Sequence, residues 1–237
     1  MIEEGHVYDQ DMLRSQHNHE FMNDRAFKAA YARGVQATGF DYQWHWRFHT
    51  GLWAASHASK LPGDFVECGV AKGFLSSGIM HYLDWDSTGR LFYLLDTFSG
   101  MDPRYATPAD LEKNKLFFDY GHYATSPDSV IKNFSEWKNV VIIVGAVPET
   151  LNQIRSSRIA YLHLDMNCAP PEIAAIEYLW DRLVPSAIIL LDDYAYFGYR
   201  QQKLAMDAFA ETKGVKVLSL PTGQGLMIRP PVGALSL

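Results

Sequence analysis

The sequence predicts an α/β fold built on a doubly wound, mostly parallel sheet of seven strands. From residue 64 onward, short apolar runs typical of buried strands alternate with helical stretches. Acids or glycines follow directly after several of these runs, where ligands bind in open α/β sheets. The last two runs are joined by the turn at residues 221–225, which is too short for a parallel crossover, so the last strand is expected to be antiparallel.

The strands and helices of this sheet follow one another in a regular order. Strands are predicted at residues 64–69, 91–96, 140–144, 159–165, 187–191, 215–220 and 225–229. Helices are predicted at residues 74–82, 126–137, 148–156, 170–183 and 201–212. Ser126 can act as N-cap with Pro127 at the first helical position. The connection at residues 97–125 is long, and such a connection usually carries a function or a helix of its own.

Residues 1–62 are predicted to form an N-terminal helical cap or lid in front of the sheet, and residues 63–237 the α/β domain. Asp24 can cap a helix over residues 25–33, which Gly34 is expected to end. A second helix is expected at about residues 42–60, before the break at Leu61-Pro-Gly. Its aromatic residues suit stacking on a sugar or ring, or equally packing on the sheet.

Composition narrows the class of protein. The 237 residues are 48% hydrophobic and 20% charged, which is ordinary for a globular enzyme. A net charge of −6 argues against nucleic acid or an anionic membrane as the main partner. No apolar run is long enough for a membrane helix, and the acidic start lacks the apolar core of a signal peptide. The two distant cysteines, Cys68 and Cys168, fit a reducing compartment, so we expect a cytoplasmic protein.

Three acids stand at the ends of two strands that a helix connects. Asp165 ends the run that begins at Ile159, and Asp192 and Asp193 follow the run at 187–191. A right-handed crossover places both strand ends on the same side of the sheet. Their carboxylates offer hard oxygen ligands for Mg²⁺, Ca²⁺ or Mn²⁺, and a cation would keep all three ionised. Alternatively, one acid binds a ligand and the others cap helices.

A turn rich in glycine follows the first predicted strand. It reads Glu67-Cys-Gly69-Val-Ala-Lys-Gly73, and a helix follows. Glycines let the backbone approach a ligand closely. The spacing matches neither the dinucleotide motif nor the phosphate loop. Because Glu67 would repel a pyrophosphate, the turn suits a cationic ligand such as S-adenosylmethionine, or it is a plain tight turn.

Two further polar residues lie on predicted strands. Asp96 ends the second strand and can accept two hydrogen bonds from a ribose diol, although it can equally cap a turn. His163 lies inside the strand that begins at Ile159, and we expect it to be a core or wall residue.

Taken in order, these motifs resemble class I S-adenosylmethionine-dependent methyltransferases, and more narrowly the macrocin O-methyltransferase family, which acts on sugars of antibiotics and related metabolites. The resemblance is carried by the segments 63–73, 94–101, 161–165 and 189–194. It implies a Rossmann-like methyltransferase fold with S-adenosylmethionine as cofactor. It also implies a homodimer or a higher homo-oligomer.

The resemblance implies a site as well. The cofactor-binding residues would be Glu67, Gly69, Ala71, Gly73, Ser76, Asp96, Thr97, Gly145 and Ala146. Asp165, Asp192 and Asp193 match the family's magnesium ligands. In that mechanism the metal binds two neighbouring hydroxyls of the acceptor sugar, lowers the pKa of one and holds it in line with the methyl group.

One position departs from the family's pattern. The family reads Leu-Asp-Gly-Asp at the end of this strand, and its second Asp is the general base, whereas this chain has Asn167 there. An amide can orient a hydroxyl but cannot take its proton. We therefore expect Asp165, Asn167 and Asp193 to be the catalytic residues, and Asp193, Cys168, His122 or a cap histidine are candidates for the base.

The expected function is a metal-dependent O-methyltransferase acting on a hydroxylated small molecule, most simply a sugar of a natural product or polysaccharide precursor. Two alternatives remain open at this point. One is a lyase or hydrolase that uses the same fold and metal site, which Asn167 would favour. The other is a cofactor-binding protein without catalysis.

Overall fold

The computed structural model describes residues 7–119, 121–123, 126–231 and 233. Its strands in chain order are β1 (Tyr8–Gln10), β2 (Leu13–Ser15), β3 (Asp64–Cys68), β4 (Phe92–Asp96), β5 (Val140–Val144), β6 (Ile159–Leu164), β7 (Leu183–Leu191), β8 (Leu218–Ser219) and β9 (Gly225–Ile228). Its helices are α1 (Arg25–Thr38), α2 (His45–Ala58), α3 (Phe74–Tyr82), α4 (Pro108–Asp119), α5 (Pro127–Phe134), α6 (Ala169–Leu179) and α7 (Arg200–Thr212).

The sheet confirms the predicted fold class. Seven strands lie in the order β5-β4-β3-β6-β7-β9-β8. The pairs among β5, β4, β3, β6 and β7 are parallel, and β9 runs antiparallel to both β7 and β8. Every residue of β6 is buried, because helices cover both faces of a central parallel strand. The strand ends that carry the predicted acids therefore meet at one edge.

The predicted helix starts agree with the structure better than the predicted helix ends. The side chain of Ser126 accepts a hydrogen bond from the backbone of Asp128, and Pro127 opens α5 as expected. Gly34, however, does not end α1, which continues to Thr38 and stops at Gly39 with φ of 71°. A Cβ at Gly34 would lie 2.6 Å from the carbonyl oxygen of Phe74, so this glycine serves the close packing of α1 on α3.

Three other segments differ from their predictions. Residues 8–15 form a hairpin where helix was expected, and its turn uses left-handed backbone at Asp11 and Met12, with φ of 52° and 57°. The predicted helix at 148–156 is reduced to a 3₁₀ turn, Leu151–Gln153, and the strand at 215–220 shrinks to β8. The long connection after β4, by contrast, carries a helix of its own, α4, which is one of the two outcomes predicted for it.

The two N-terminal helices pack into the main core. Phe27 of α1 and Phe48 and Leu52 of α2 belong to the same buried cluster as Phe65 of β3. Helix α2 therefore reaches over the face of β6 and β7 and brings its side chains to the sheet edge. A domain boundary between residues 62 and 63 stays a prediction. In the described residues, no helix combines the length and the apolar character needed to cross a bilayer.

Candidate active site: two cavities with a shared wall

Two cavities open at the carboxyl ends of the parallel strands. The glycine-loop cavity has an empty volume of about 790 Å³ and is lined by the residues after β3, β4, β5 and β6. The cap cavity has an empty volume of about 1000 Å³ and lies between these ends, β7 and the N-terminal helices. Both volumes include space open to solvent. The two linings share Ala71, Tyr123, Asp165 and Asn167. A molecule in one cavity is thus a neighbour of a molecule in the other.

Asp96 fixes the glycine turn of the first cavity. Its Oδ2 accepts the backbone N–H groups of Val70 at 2.7 Å and Ala71 at 2.8 Å, and its Oδ1 accepts that of Phe98 at 2.7 Å. Gly69 has φ of 90°, and a Cβ there would lie 1.9 Å from the carbonyl oxygen of Asp165. Only glycine lets the end of β3 pass so close to the end of β6.

The predicted cofactor residues divide into three groups. Six line the glycine-loop cavity: Gly69, Ala71, Asp96, Thr97, Gly145 and Ala146. Glu67 lines the cap cavity instead. Among the described residues, Gly73 and Ser76 are in neither lining. A Cβ at Gly73 would lie 2.5 Å from the ring of Phe134, and Ser76 is fully buried near Glu67.

A short segment, residues 101–105, closes one side of the glycine-loop cavity, and we call it the 101–105 strap. Its residue Arg104 pairs with Glu149 at 2.7 Å. The hydroxyl of Tyr105 donates to the same Glu149 carboxylate at 2.5 Å, and the thiol of Cys168 donates to the carbonyl of Tyr105 at 3.2 Å. The strap is thereby attached to the loops after β5 and β6.

The three predicted metal ligands, Asp165, Asp192 and Asp193, meet at the cap cavity, and we call them the acid cluster. Backbone bonds that continue the sheet hold the first two: the N–H of Asp165 donates to Cys68 and that of Asp192 to Leu164, each at 2.9 Å. A group of three residues has ligand atoms all within 4.8 Å of one another, but its members are His163, Asp165 and Asp192. Asp193 lies beside this group.

His163 is a site residue that the sequence prediction assigned to the core or wall. Its Nδ1 lies 3.3 Å from Glu67 Oε1, and its Nε2 lies 3.8 Å from Asp192 Oδ1. The two-residue period of a strand puts His163 on the same face as Asp165, and this spacing was a usable indication.

Arg47 is the second site residue that the prediction missed. Helix α2 delivers it, only 5% exposed, to the acid cluster. Its guanidinium forms ion pairs with Asp192 and, at 3.5 Å, with Asp193. It lies 4.5 Å from the ring centroid of Tyr196 and 5.2 Å from that of Trp44. Nothing in the local sequence distinguishes this arginine, because its role depends on how α2 docks.

Burial and crowding change the acidity of these groups. Burial, together with the neighbouring aspartates, raises the pKa of Asp165 well above its usual range and that of Asp193 to about 6. Burial acts on Asp192 in the same direction, but Arg47 and His163 outweigh it and hold the pKa of Asp192 below its usual range. The cluster therefore cannot keep all its charges without a further cation.

Much of the remaining lining of the cap cavity is aromatic, and it includes one lysine, Lys72. Its rings come from Tyr42, Trp44, Phe48, Phe74, Tyr123, Tyr196 and Tyr199. The ammonium of Lys72 donates to the carbonyl of Gly121 at 2.5 Å. Trp46 packs on Phe21 with ring centroids 4.6 Å apart, and Trp53 is 42% exposed, so these two belong to packing and surface.

The candidates for the general base, which Asn167 cannot be, differ in their pKa and their contacts. Burial raises the pKa of Cys168 to about 12, which removes it as a thiolate at neutral pH. His122 lines the cap cavity, and burial and Lys72 lower its pKa. His45 stacks on Tyr31 with centroids 4.5 Å apart and is held in ring packing. Both cysteines are free, as expected.

The strand order, with β9 antiparallel to β7, is that of the Rossmann-like methyltransferase fold. Residues 51–218 match the macrocin O-methyltransferase (TylF) family. The chain therefore belongs to this family of S-adenosylmethionine-dependent methyltransferases.

Individual relatives agree with this assignment. The chain is 28% identical over 147 residues to the 8-demethyl-8-(2,3-dimethoxy-α-L-rhamnosyl)-tetracenomycin-C 4′-O-methyltransferase of Streptomyces olivaceus, and the match covers 58% of this chain and 55% of that protein. The chain thus spans about half the length of this curated relative. The structure of the O-methyltransferase NovP matches with a TM-score of 0.64 at 20% identity, covering 78% of this chain and 79% of NovP. The SAH-bound methyltransferase PaMTH1 of Podospora anserina matches with a TM-score of 0.51 at 15% identity, covering 87% and 88%.

Proposed function

We propose that this protein transfers a methyl group from S-adenosylmethionine to a hydroxyl of a small, sugar-like molecule. The wall shared by the two cavities carries this proposal. A methyl donor in the glycine-loop cavity and an acceptor in the cap cavity would meet at Asp165 and Asn167. Bringing the reacting atoms together in this way supplies much of the catalysis in a displacement reaction.

The glycine-loop cavity suits S-adenosylmethionine. Asp96 lines it with a carboxylate that three backbone N–H groups already orient, and such an acid can accept a ribose diol. The loop at Gly145 and Ala146 contributes two residues without large side chains to the lining. Support also comes from PaMTH1, a structural neighbour described as bound to SAH.

A divalent cation suits the acid cluster, although Arg47 already offsets part of its charge. Asp165 and Asp192, together with His163 in its neutral form, have the donor atoms and the mutual distances for an ion. Ionised, the cluster has three negative charges, and Arg47 offsets one. Two charges remain, which equals the charge of one Mg²⁺. When bound, the ion would act as a Lewis acid toward the acceptor hydroxyl.

The chain's own groups would handle the acceptor. Asn167 orients the hydroxyl through its amide, and Asp193, the acid outside the group of three, takes the proton that Asn167 cannot accept. The aromatic lining packs on the sugar ring and excludes water. A sugar acceptor is also supported by the rhamnosyl compound in the name of the Streptomyces relative.

Calorimetry and a methyl-transfer assay test the proposal together. We expect S-adenosylmethionine and S-adenosylhomocysteine to bind, and transfer to glycosides or nucleotide sugars to require Mg²⁺. Asp165→Asn should abolish transfer, while Glu177→Gln, at an exposed position of α6, should leave it unchanged. Failure of both cofactors to bind at millimolar concentration would refute methyl transfer. Transfer that persists after exhaustive chelation would refute the metal alone.

A cytoplasmic location and a homodimer or higher homo-oligomer are part of the same proposal. Light scattering of the purified protein checks the oligomeric state.

A further inference from the structure

Arg47 is a buried cation where the proposed function places a metal ion. Its guanidinium, 5% exposed, donates to the backbone carbonyl of Asp192 at 3.0 Å and that of Thr222 at 3.5 Å, besides its two ion pairs. The rings of Trp44 and Tyr196 lie on its sides. Such an arginine is held in one place rather than free to leave toward solvent.

The carboxylate of Asp192 already accepts hydrogen bonds from two side chains. Its Oδ2 accepts from Arg47, and its Oδ1 accepts from the amide of Gln224 at 2.8 Å. A carboxylate has about four lone-pair sites, so an ion can still bind it. The ion would then share Asp192 with a guanidinium that repels it.

We propose that Arg47 is a resident cation that shares Asp192 with the divalent ion and weakens the binding of that ion. The inference rests on the proposed metal site. It assigns to the N-terminal helix α2 a direct influence on metal loading, because α2 carries Arg47 to the end of β7. Weak loading fits a site that must also admit and release an acceptor bound to its metal.

The sign of the effect follows from charge. Removing a positive charge within a few ångströms of a bound cation strengthens cation binding, since like charges repel at short range. A residue that only held the fold together would do the opposite, because its loss would loosen the ligands. Metal affinity therefore separates the two roles, whereas a loss of activity would not.

The experiment compares Arg47→Gln, which removes the charge, with Arg47→Lys, which keeps it. Mn²⁺ binding is measured by calorimetry without cofactor or acceptor. We expect Arg47→Gln to bind Mn²⁺ roughly tenfold or more tightly than the native protein, and Arg47→Lys to stay within about threefold of it. Equal or weaker binding by a folded Arg47→Gln protein would overturn the inference.

Two observations keep the inference testable apart from the proposed function. If Arg47→Gln does not fold, the NMR signals of the Arg47 guanidinium are followed in the native protein instead. Their loss in Arg47→Lys assigns them. Displacement of the Arg47 signals on adding Mg²⁺ would support sharing, and their constancy at saturating Mg²⁺ would refute it. If neither native nor variant protein binds Mn²⁺, the proposed metal and this inference both fail, while cofactor binding remains an independent result.

Discussion

The two cavities of the site are built in different ways. The glycine-loop cavity consists mainly of backbone turns that follow consecutive strands. The carboxylate of Asp96 holds the first turn by accepting its backbone N–H groups. The cap cavity is made of side chains from distant parts of the chain, and buried charges from α2, β6 and the end of β7 face each other in it. The first depends on local conformation, and the second depends on docking of one element against another.

This difference predicts how each half responds to mutation. Changes in backbone freedom should damage the glycine-loop cavity most, and changes in charge should damage the cap cavity most. The halves meet where Gly69 passes the carbonyl of Asp165, so a change there should affect both.

The largest effect is therefore expected for Gly69→Ala. The new Cβ would lie 1.9 Å from a backbone oxygen, which no side-chain rotation relieves, and φ is 90°. We expect a loss of about 3 kcal/mol or more in the free energy of unfolding, with both cofactor and Mn²⁺ binding lost. Denaturant unfolding measures it.

The matched control for this variant is Gly89→Ala. Gly89 also has left-handed backbone, with φ of +66°, but a Cβ there meets nothing within 4 Å. Its cost should be only about 1 kcal/mol, the ordinary penalty of this conformation. Similar losses in the free energy of unfolding for the two variants would show that the close approach of Gly69 to Asp165 does not determine the cost of the first.

Asp96→Asn should weaken cofactor binding in the glycine-loop cavity and leave metal binding in the cap cavity unchanged. An amide cannot accept from both turn N–H groups and a ribose with the same strength, so affinity for S-adenosylhomocysteine should fall roughly ten- to hundredfold. Mn²⁺ affinity should stay within about twofold, because Asp96 lines the glycine-loop cavity but not the cap cavity, where the acid cluster meets. Calorimetry with each ligand decides. A parallel loss of Mn²⁺ binding would mean that the halves are coupled.

The same difference explains what the sequence could and could not predict. Asp96, Gly69 and the acid cluster were recognisable because each follows a strand directly, and parallel strands end at one edge. The prediction that Gly34 ends a helix was wrong, because a glycine that ends a helix and a glycine that allows close packing cannot be told apart in the sequence.

Side chains that act through tertiary contacts could not be recognised from their position in the sequence. Arg47 lies among aromatic residues of α2 and resembles many surface arginines in sequence until α2 is docked on β7. The apolar strand around His163 predicts a core or wall residue, although the spacing of His163 from Asp165 puts both on one face. Strand-end chemistry is local, whereas charge pairing between elements is not.

Glu172 is an exception on the glycine-loop side, because it is a buried acid, 4% exposed, in the first turn of α6. It accepts the backbone N–H of Met166, a cavity residue, at 3.2 Å. Burial, helped by the charge of Asp193, raises its pKa from 4.5 to about 8. The folded state therefore holds this proton more tightly than the unfolded state does.

Its contribution to stability must then fall as pH rises from about 4.5 to about 8. Glu172→Gln keeps the acceptor and has no proton to lose, so the variant should be more stable than the native protein by on the order of 2 kcal/mol at neutral pH and nearly equal at acid pH. Unfolding at several pH values measures this. Glu177→Gln, on the exposed side of α6, is the control. A gap that does not grow with pH would contradict the assignment.

The smallest effect is expected at the 101–105 strap, where exposed contacts supplement the backbone walls. Glu149→Gln removes the ion pair with Arg104 and weakens the bond from Tyr105. Exposed ion pairs contribute little because water screens them, so dissociation of S-adenosylhomocysteine should become only about two- to fivefold faster. Glu136→Gln is the matched control, because Glu136 also pairs with an arginine, Arg33, but lies away from the cavity. Stopped-flow release measures both. Faster release from the first variant only would show that the glycine-loop cavity also depends on side-chain contacts across elements, and that the contrast with the cap cavity is one of degree.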